Sequence, residues 1–178
     1  MVTTNDDELG EALRSIRSHG ESRPYWPVRL GHNYRMTELA AAMGSVQLNK
    51  LPIFLERRRK NAELLTERLS TSGKIILPTE VEGRRHAWYL YTVRLRGANA
   101  GKRNKVVDRL LGKNVGAAVY YQTPLHLLPL YREYLGYKRG MFQESEKASR
   151  QVFQLPIHPN LSPEDIEMIA EVTRKAIS

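Results

Sequence analysis

The stretch Ala87-Trp88-Tyr89-Leu90-Tyr91-Thr92-Val93-Arg94-Leu95 decides the architecture of this chain. Its aromatic and β-branched residues read as a strand. Lys102 to Leu111 follows, with Val106, Val107, Leu110 and Leu111 at helical spacing. Val115 to Tyr121 then returns to strand, and Lys74-Ile75-Ile76-Leu77, just before Pro78, is a further short one. This compact alternation predicts an α+β unit whose helices pack on a small, mostly antiparallel sheet.

Toward the C-terminus, Pro124 to Leu130 is irregular and Tyr131 to Leu135 reads as a helical turn. Phe142 to Phe153 reads as a helix, and Leu155-Pro156-Ile157-His158-Pro159 as extended, since a residue before proline avoids the helical region. Ser162-Pro163-Glu164-Asp165 opens a last helix with a cap, a proline at its first position and acids in its first turn. Ile166, Ile169, Ala170, Thr173 and Ile177 form its inner stripe.

Toward the N-terminus the texture changes near Thr71. Val2-Thr3-Thr4 reads as a strand end, with Asn5 capping a helix that carries Leu9, Ala12, Leu13 and Ile16 on one face. His19-Gly20 stops it. Glu21 to His32, with Pro24, Pro27 and Gly31, reads as a loop. Thr37 caps a helix through Leu39, Met43 and Leu48, Pro52 is expected to break or kink it, and a second helix is predicted from Ile53 to Leu69. The chain is therefore divided into residues 1–71, a strand with helices, and residues 72–178, the small α+β unit.

The composition is that of an ordinary folded protein, 41% hydrophobic and 26% charged over 178 residues. Cysteine is absent, which excludes disulfides, thiolate metal sites and a cysteine nucleophile. No apolar run has the length of a membrane span, and the first residues lack the pattern of a signal peptide, so a cytoplasmic location is expected. The formal charge of +9 suits an anionic partner. No groove-fitting module accompanies it, which argues against nucleic acid. The run Arg57-Arg58-Arg59-Lys60 reads as a solvated helix face. His19, His32, His86, His126 and His158 are scattered without metal-ligand spacing or a nucleophile motif.

Four ordered stretches carry a resemblance. They are Met1-Val2-Thr3-Thr4-Asn5-Asp6 with Leu13-Arg14 and His19-Gly20; Gly31-His32-Asn33-Tyr34-Arg35-Met36-Thr37-Glu38-Leu39 with Ala41-Ala42-Met43-Gly44; Tyr121-Gln122-Thr123-Pro124-Leu125-His126 with Pro129 and Tyr131; and Leu155-Pro156-Ile157-His158-Pro159 with Leu161-Ser162. Arg57-Arg58-Arg59 with Asn61, and His86 with Trp88 and Tyr91, add to them. Together they resemble the C-terminal part of the DegT/DnrJ/EryC1/StrS family of pyridoxal-phosphate (PLP) sugar aminotransferases.

The resemblance implies an α/β fold like that of aspartate aminotransferase. A large PLP-binding domain would be represented by residues 1–71 and the small domain by residues 72–178. It implies transfer of an amino group, usually from glutamate, to a nucleotide-linked keto-sugar. Asn33 would reach the PLP phosphate of a partner subunit, and Arg35, Tyr121 and His126 would meet substrate. The residues by themselves also fit structural duties: Asn33 bonding its own backbone, Arg35 in an ion pair, His126 hydrogen-bonded in its loop. In the family, the lysine that forms the Schiff base precedes the stretch resembling Met1 to Asn5. The expectation is that this chain carries no catalytic lysine, binds no PLP covalently and does not transaminate alone. Two alternatives stand beside it: a basic regulatory module without catalysis, and one half of a split enzyme with a separate N-terminal partner.

The apolar stripe through Leu39, Met43 and Leu48 predicts self-association of the isolated chain, as a dimer or larger oligomer, unless a missing N-terminal half covers it. Light scattering of the purified chain checks this: a mass above that of one chain is expected, and a monomer stable to dilution refutes it.

Overall fold

The computed structural model describes residues 2–178, so Met1 lies outside it. The chain forms two compact units, Met1–Lys50 and Leu51–Ser178. The division along the chain falls within a helix, whereas the change in sequence texture falls near Thr71.

In the first unit, helix α1 spans Asp7–Arg17. Asp6, not Asn5, is its cap, with Oδ1 accepting the Leu9 N–H at 2.9 Å. Asp7 and Glu8 at its start and Arg14 and Arg17 at its end suit the helix dipole. No strand forms at Val2–Thr4. The expected loop contains a small antiparallel pair, β1 (Glu21–Arg23) and β2 (Trp26–Pro27), with the Arg23 guanidinium 4.8 Å from the Trp26 ring centre. Two glycines make the turn possible: a Cβ on Gly20 would sit 1.8 Å from the Arg29 carbonyl oxygen, and one on Gly31 1.9 Å from the Gly20 nitrogen.

Helix α2 spans Glu38–Leu69 without interruption. Thr37 Oγ1 accepts the Ala40 N–H at 3.2 Å, as its capping role requires. Pro52 does not divide the helix. A proline removes one N–H, here the donor to the Leu48 carbonyl, and the turns on either side keep their own ladders. The first half of α2 leaves Leu39, Met43, Val46 and Leu48 exposed. In its second half Ala62, Leu65 and Leu69 are buried with the core of the C-terminal unit.

That unit holds a three-stranded antiparallel sheet in the order β3-β4-β5, with β3 at Ile75–Ile76, β4 at Tyr91–Leu95 and β5 at Val152–Leu155. Tyr91, Val93 and Leu95 alternate inward along β4, the period expected of a half-buried strand. Residues 87–90 are not part of it, and Trp88 takes a positive φ of 48°. The strand expected over Val115 to Tyr121 is reduced to one bridge, Ala118 to Gln154. The helix expected to end at Phe153 ends at Gln151, and the chain turns directly into β5. Phe153 and Leu155 belong to the sheet and the core because tertiary pairing with β4 outcompetes local helix propensity.

Helix α3 (Ala100–Leu111) is capped by Asn99, whose Oδ1 accepts the Lys102 N–H at 2.9 Å. It packs against α5 (Gln143–Gln151) and α6 (Pro163–Ile177). Helix α6 has a full capping box: Ser162 Oγ accepts the Asp165 N–H at 3.2 Å and Asp165 Oδ2 the Ser162 N–H at 2.8 Å. A 3-10 turn at Leu125–Leu127 and the short helix α4 (Pro129–Leu135) complete the unit.

The dense basic run is not simply a solvated face. Arg58 Nη1 donates to the Trp88 carbonyl at 3.4 Å, and Arg59 donates to the His86 carbonyl at 3.3 Å and to Glu80 at 2.8 Å. Asn61 Nδ2 donates to the carbonyls of His158 (3.0 Å) and Leu161 (3.4 Å). One face of α2 therefore holds two loops by their carbonyl oxygens. Arg103 does the same deeper inside. It is 2% exposed, and its Nη1 donates to Ser149 O at 3.1 Å and Val152 O at 2.8 Å, while Nε donates to Asn104 Oδ1 at 2.7 Å. These bonds satisfy the carbonyls left free where α5 ends and β5 begins.

Replacing Arg103 with Met keeps much of the buried volume and strands those carbonyls. The variant is expected to unfold at lower urea with a loss of about 2 kcal/mol, the cost of leaving buried acceptors unmet. An unchanged midpoint would refute this role.

Candidate functional site

The four residues singled out by sequence fall into two places, one in each unit. In the first unit, residues 31–35 run beside the end of α1. His19 N–H donates to His32 O (2.9 Å), His32 N–H to Ile16 O (2.8 Å) and Tyr34 N–H to Arg17 O (2.9 Å), with Ser18 and Asn33 bridged antiparallel. This backbone frame presents Asn33 and Arg35 together on an exposed surface. Arg35 Nε donates to Asn33 Oδ1 at 3.0 Å, and Arg35 Nη2 lies 3.4 Å from His19 Nε2. Arg35 has no carboxylate partner among the described residues. With Asn33 Oδ1 engaged by Arg35, the Asn33 Nδ2 protons face no acceptor among the described residues. An amide donor beside a guanidinium is the donor set an anionic phosphate requires, so these residues fit a cofactor phosphate.

In the second unit, Tyr121 and His126 line one cleft of about 570 Å³, with Tyr131, Tyr137 and Phe142 among its other walls. Tyr121 is 69% exposed and His126 only 7%, so the tyrosine ring is free at the surface while the imidazole forms part of the floor. No lysine lines this cleft. A second cleft adjoins it, sharing Tyr120, Tyr121 and Val152 and lined also by Tyr89 and Gln154.

Two side chains that sequence reading missed hold these walls. Gln154, 4% exposed on β5, accepts the Tyr120 N–H at Oε1 (2.9 Å) and donates from Nε2 to the Tyr120 carbonyl (3.1 Å). Its side-chain amide continues the pairing that its own backbone makes with Ala118. A buried glutamine facing a strand end is the only signal, and nothing in the linear sequence marks the partner. Glu146, on α5 and 6% exposed, is the other. Its Oε1 accepts the Gly140 N–H at 2.6 Å and lies 3.2 Å from His126 Nε2. The Gly140 amide, then His126 and the charge of Arg139, hold the Glu146 carboxyl below the usual carboxylate range against the opposing effect of burial. The His126 ring packs on Phe142 with centroids 4.8 Å apart, and Phe142 meets Tyr137 edge-on at 5.5 Å.

His86 and Trp88 form a local structure. The Trp88 N–H donates to His86 Nδ1 at 2.8 Å with the rings 4.3 Å apart, and Tyr91 packs 6.0 Å beyond. Among the described residues, no group of His, Asp and Glu is placed to hold a metal ion, and no helix is long and apolar enough to cross a membrane.

The fold recurs in solved aminotransferases. The crystal structure of S. venezuelae DesV in complex with a ketimine intermediate superposes with a TM-score of 0.89 at 28% identity, covering 99% of this chain and 46% of that one. The aminotransferase TlmJ from Streptoalloteichus hindustanus gives 0.84 at 32% identity, over 97% of this chain and 46% of its own. Helices on small antiparallel sheets thus match part of a PLP-dependent transferase fold. Residues 1–174 match the DegT/DnrJ/EryC1/StrS aminotransferase family, and the chain belongs to it. A pleiotropic regulatory protein of Geobacillus stearothermophilus is 39% identical over 98% of this chain and 47% of its own length. The dTDP-3-amino-3,6-dideoxy-alpha-D-galactopyranose transaminase of Aneurinibacillus thermoaerophilus is 32% identical over 98% and 46%. The chain spans about half the length of the curated relatives it matches.

Replacing Gln154 with Met removes both side-chain bonds to Tyr120 at little change in volume. Hydrogen exchange of the Tyr120 amide is expected to accelerate at least about tenfold, the equivalent of one lost hydrogen bond. Unchanged exchange in the folded variant would refute the anchoring role.

Proposed function

We propose that this chain is the part of a PLP-dependent sugar aminotransferase that binds a nucleotide-linked keto-sugar and contributes one phosphate contact for the cofactor. Asn33 meets the PLP phosphate of a partner subunit, with Arg35 beside it for an anionic group of the amino donor or the sugar nucleotide. Tyr121 and His126 meet the nucleotide-sugar in their cleft, His126 near the diphosphate. Glutamate supplies the amino group. The cofactor, when bound, supplies the electron sink that labilises a proton on the amino-bearing carbon. This chain's residues orient and bind; the proton-carrying lysine comes from elsewhere in a complete enzyme, and the chain alone does not transaminate.

The observation that carries the reading is the aromatic cleft floored by His126. Aromatic rings offer stacking faces to a base or sugar, and a protonated imidazole offers a charge-assisted bond to a diphosphate. Relatives named as transaminases of dTDP-linked sugars support the substrate class. The exposed apolar residues at the start of α2 support an occupant there, a second copy or the segment the longer relatives possess. The relative named a pleiotropic regulatory protein favours a second reading, a binding module without catalysis. Salt-sensitive DNA binding by this chain would support that reading.

The chain, incubated with PLP and reduced with borohydride, is expected to retain no cofactor on any lysine and to release no 2-oxoglutarate from glutamate. Co-expressed with the remaining half of a family enzyme, it is expected to restore both. A stable adduct on one lysine of the isolated chain would overturn the proposal.

A further inference from the structure

Glu146 is a buried carboxylate that the proposed chemistry does not use. It does not line the cleft; it stands behind the cleft wall. One of its oxygens, Oε1, reaches two separate segments, accepting the Gly140 N–H at 2.6 Å and meeting His126 Nε2 at 3.2 Å. His126 sits on the 3-10 turn Leu125–Leu127, and Gly140 lies in the loop between α4 and α5. Gly140 has a φ of +91°, a conformation that favours glycine and that presents its amide to the carboxylate. The same loop carries Tyr137, and Phe142 at its end packs on the His126 ring. The two walls of the cleft therefore meet at a single oxygen atom.

We infer that Glu146 is a positioning residue that acts through His126. It fixes the imidazole with Nε2–H toward the carboxylate and pins the facing loop at Gly140, so that Nδ1 is the ring nitrogen left for a ligand. An imidazole so oriented accepts a hydrogen bond at Nδ1 when neutral and donates one when protonated. The ring cannot turn over without breaking its bond to Glu146. The geometry stands by itself; its bearing on substrate rests on the proposed role of His126 toward a nucleoside diphosphate.

The test is nitrogen-15 NMR of the histidine rings and of the Gly140 amide in this chain, in wild type, Glu146→Gln and Glu146→Ala. Wild type is expected to show one His126 tautomer, protonated at Nε2, with a slowly exchanging ring proton. Gln keeps an oxygen at the same place and is expected to keep that tautomer and the Gly140 protection. Ala is expected to give a mixture of tautomers and at least about tenfold faster exchange at Gly140, the size of a lost charge-assisted bond. A wild-type His126 whose Nε2 proton exchanges as fast as free imidazole, or is absent, overturns the inference even if the Ala variant fails to fold. So does an Ala variant that folds with both signals unchanged. Titration with dTDP separates this from the functional reading. If wild type binds and Ala binds about tenfold more weakly, with Gln restoring affinity, both hold. If wild type does not bind dTDP while the ring and amide signals behave as stated, only the substrate reading fails.

Discussion

The C-terminal unit depends on the short strand Val152–Leu155. It pairs with β4 on one side and bridges Ala118 on the other, so its backbone groups are satisfied from both directions. Phe153 and Leu155 enter the core, while Gln154 extends a side-chain amide to the Tyr120 backbone. Arg103 closes the junction with α5 by taking the carbonyls of Ser149 and Val152. The residues that border the cleft on this side, Tyr120, Tyr121 and Ser149, are thus placed by the strand or by its junction.

Buried polar side chains recur as connectors. Arg103, Gln154, Glu146 and His126 are each less than a tenth exposed, and each bonds to a segment distant in sequence. Asn61 on α2 plays the same part at lower burial, holding the loop before α6. A buried polar group without a partner is costly, so each of these pairings is strongly specified once the core has formed. The cleft inherits its shape from such pairings, since its walls are loops and a 3-10 turn with few ladders of their own.

Much of this was legible from the residues. The cap at Thr37, the cap, proline and acids that open the last helix at Ser162, and the strand character of Tyr91 to Leu95 depend on local chemistry, and each appears in the structure. The misreadings have physical causes. Pro52 signals a break, yet a helix can lose one donor and continue. Val115 to Tyr121 has strand composition, but only Ala118 forms a strand-type bridge. Val152 and Phe153 carry no local mark of the change from helix to strand, because that change is made by pairing with β4.

The sequence by itself determined most of the helical segments, the caps at Thr37 and Ser162, the inner stripe of the last helix and the motifs that resemble sugar aminotransferases, because these rest on contacts a few residues apart or on residue types alone. It also marked Asn33, Arg35, Tyr121 and His126 as candidates. Only the tertiary structure decided that Asn33 and Arg35 share a hydrogen bond, that Tyr121 and His126 share a cleft, and that Glu146 and Gln154 hold its walls. Two of the pairings that hold the walls, His126 with Glu146 and Tyr120 with Gln154, join residues 20 and 34 positions apart, and a linear sequence does not state which buried polar group will meet which. Burial makes the choice, since once water is excluded each donor must find its acceptor within the fold.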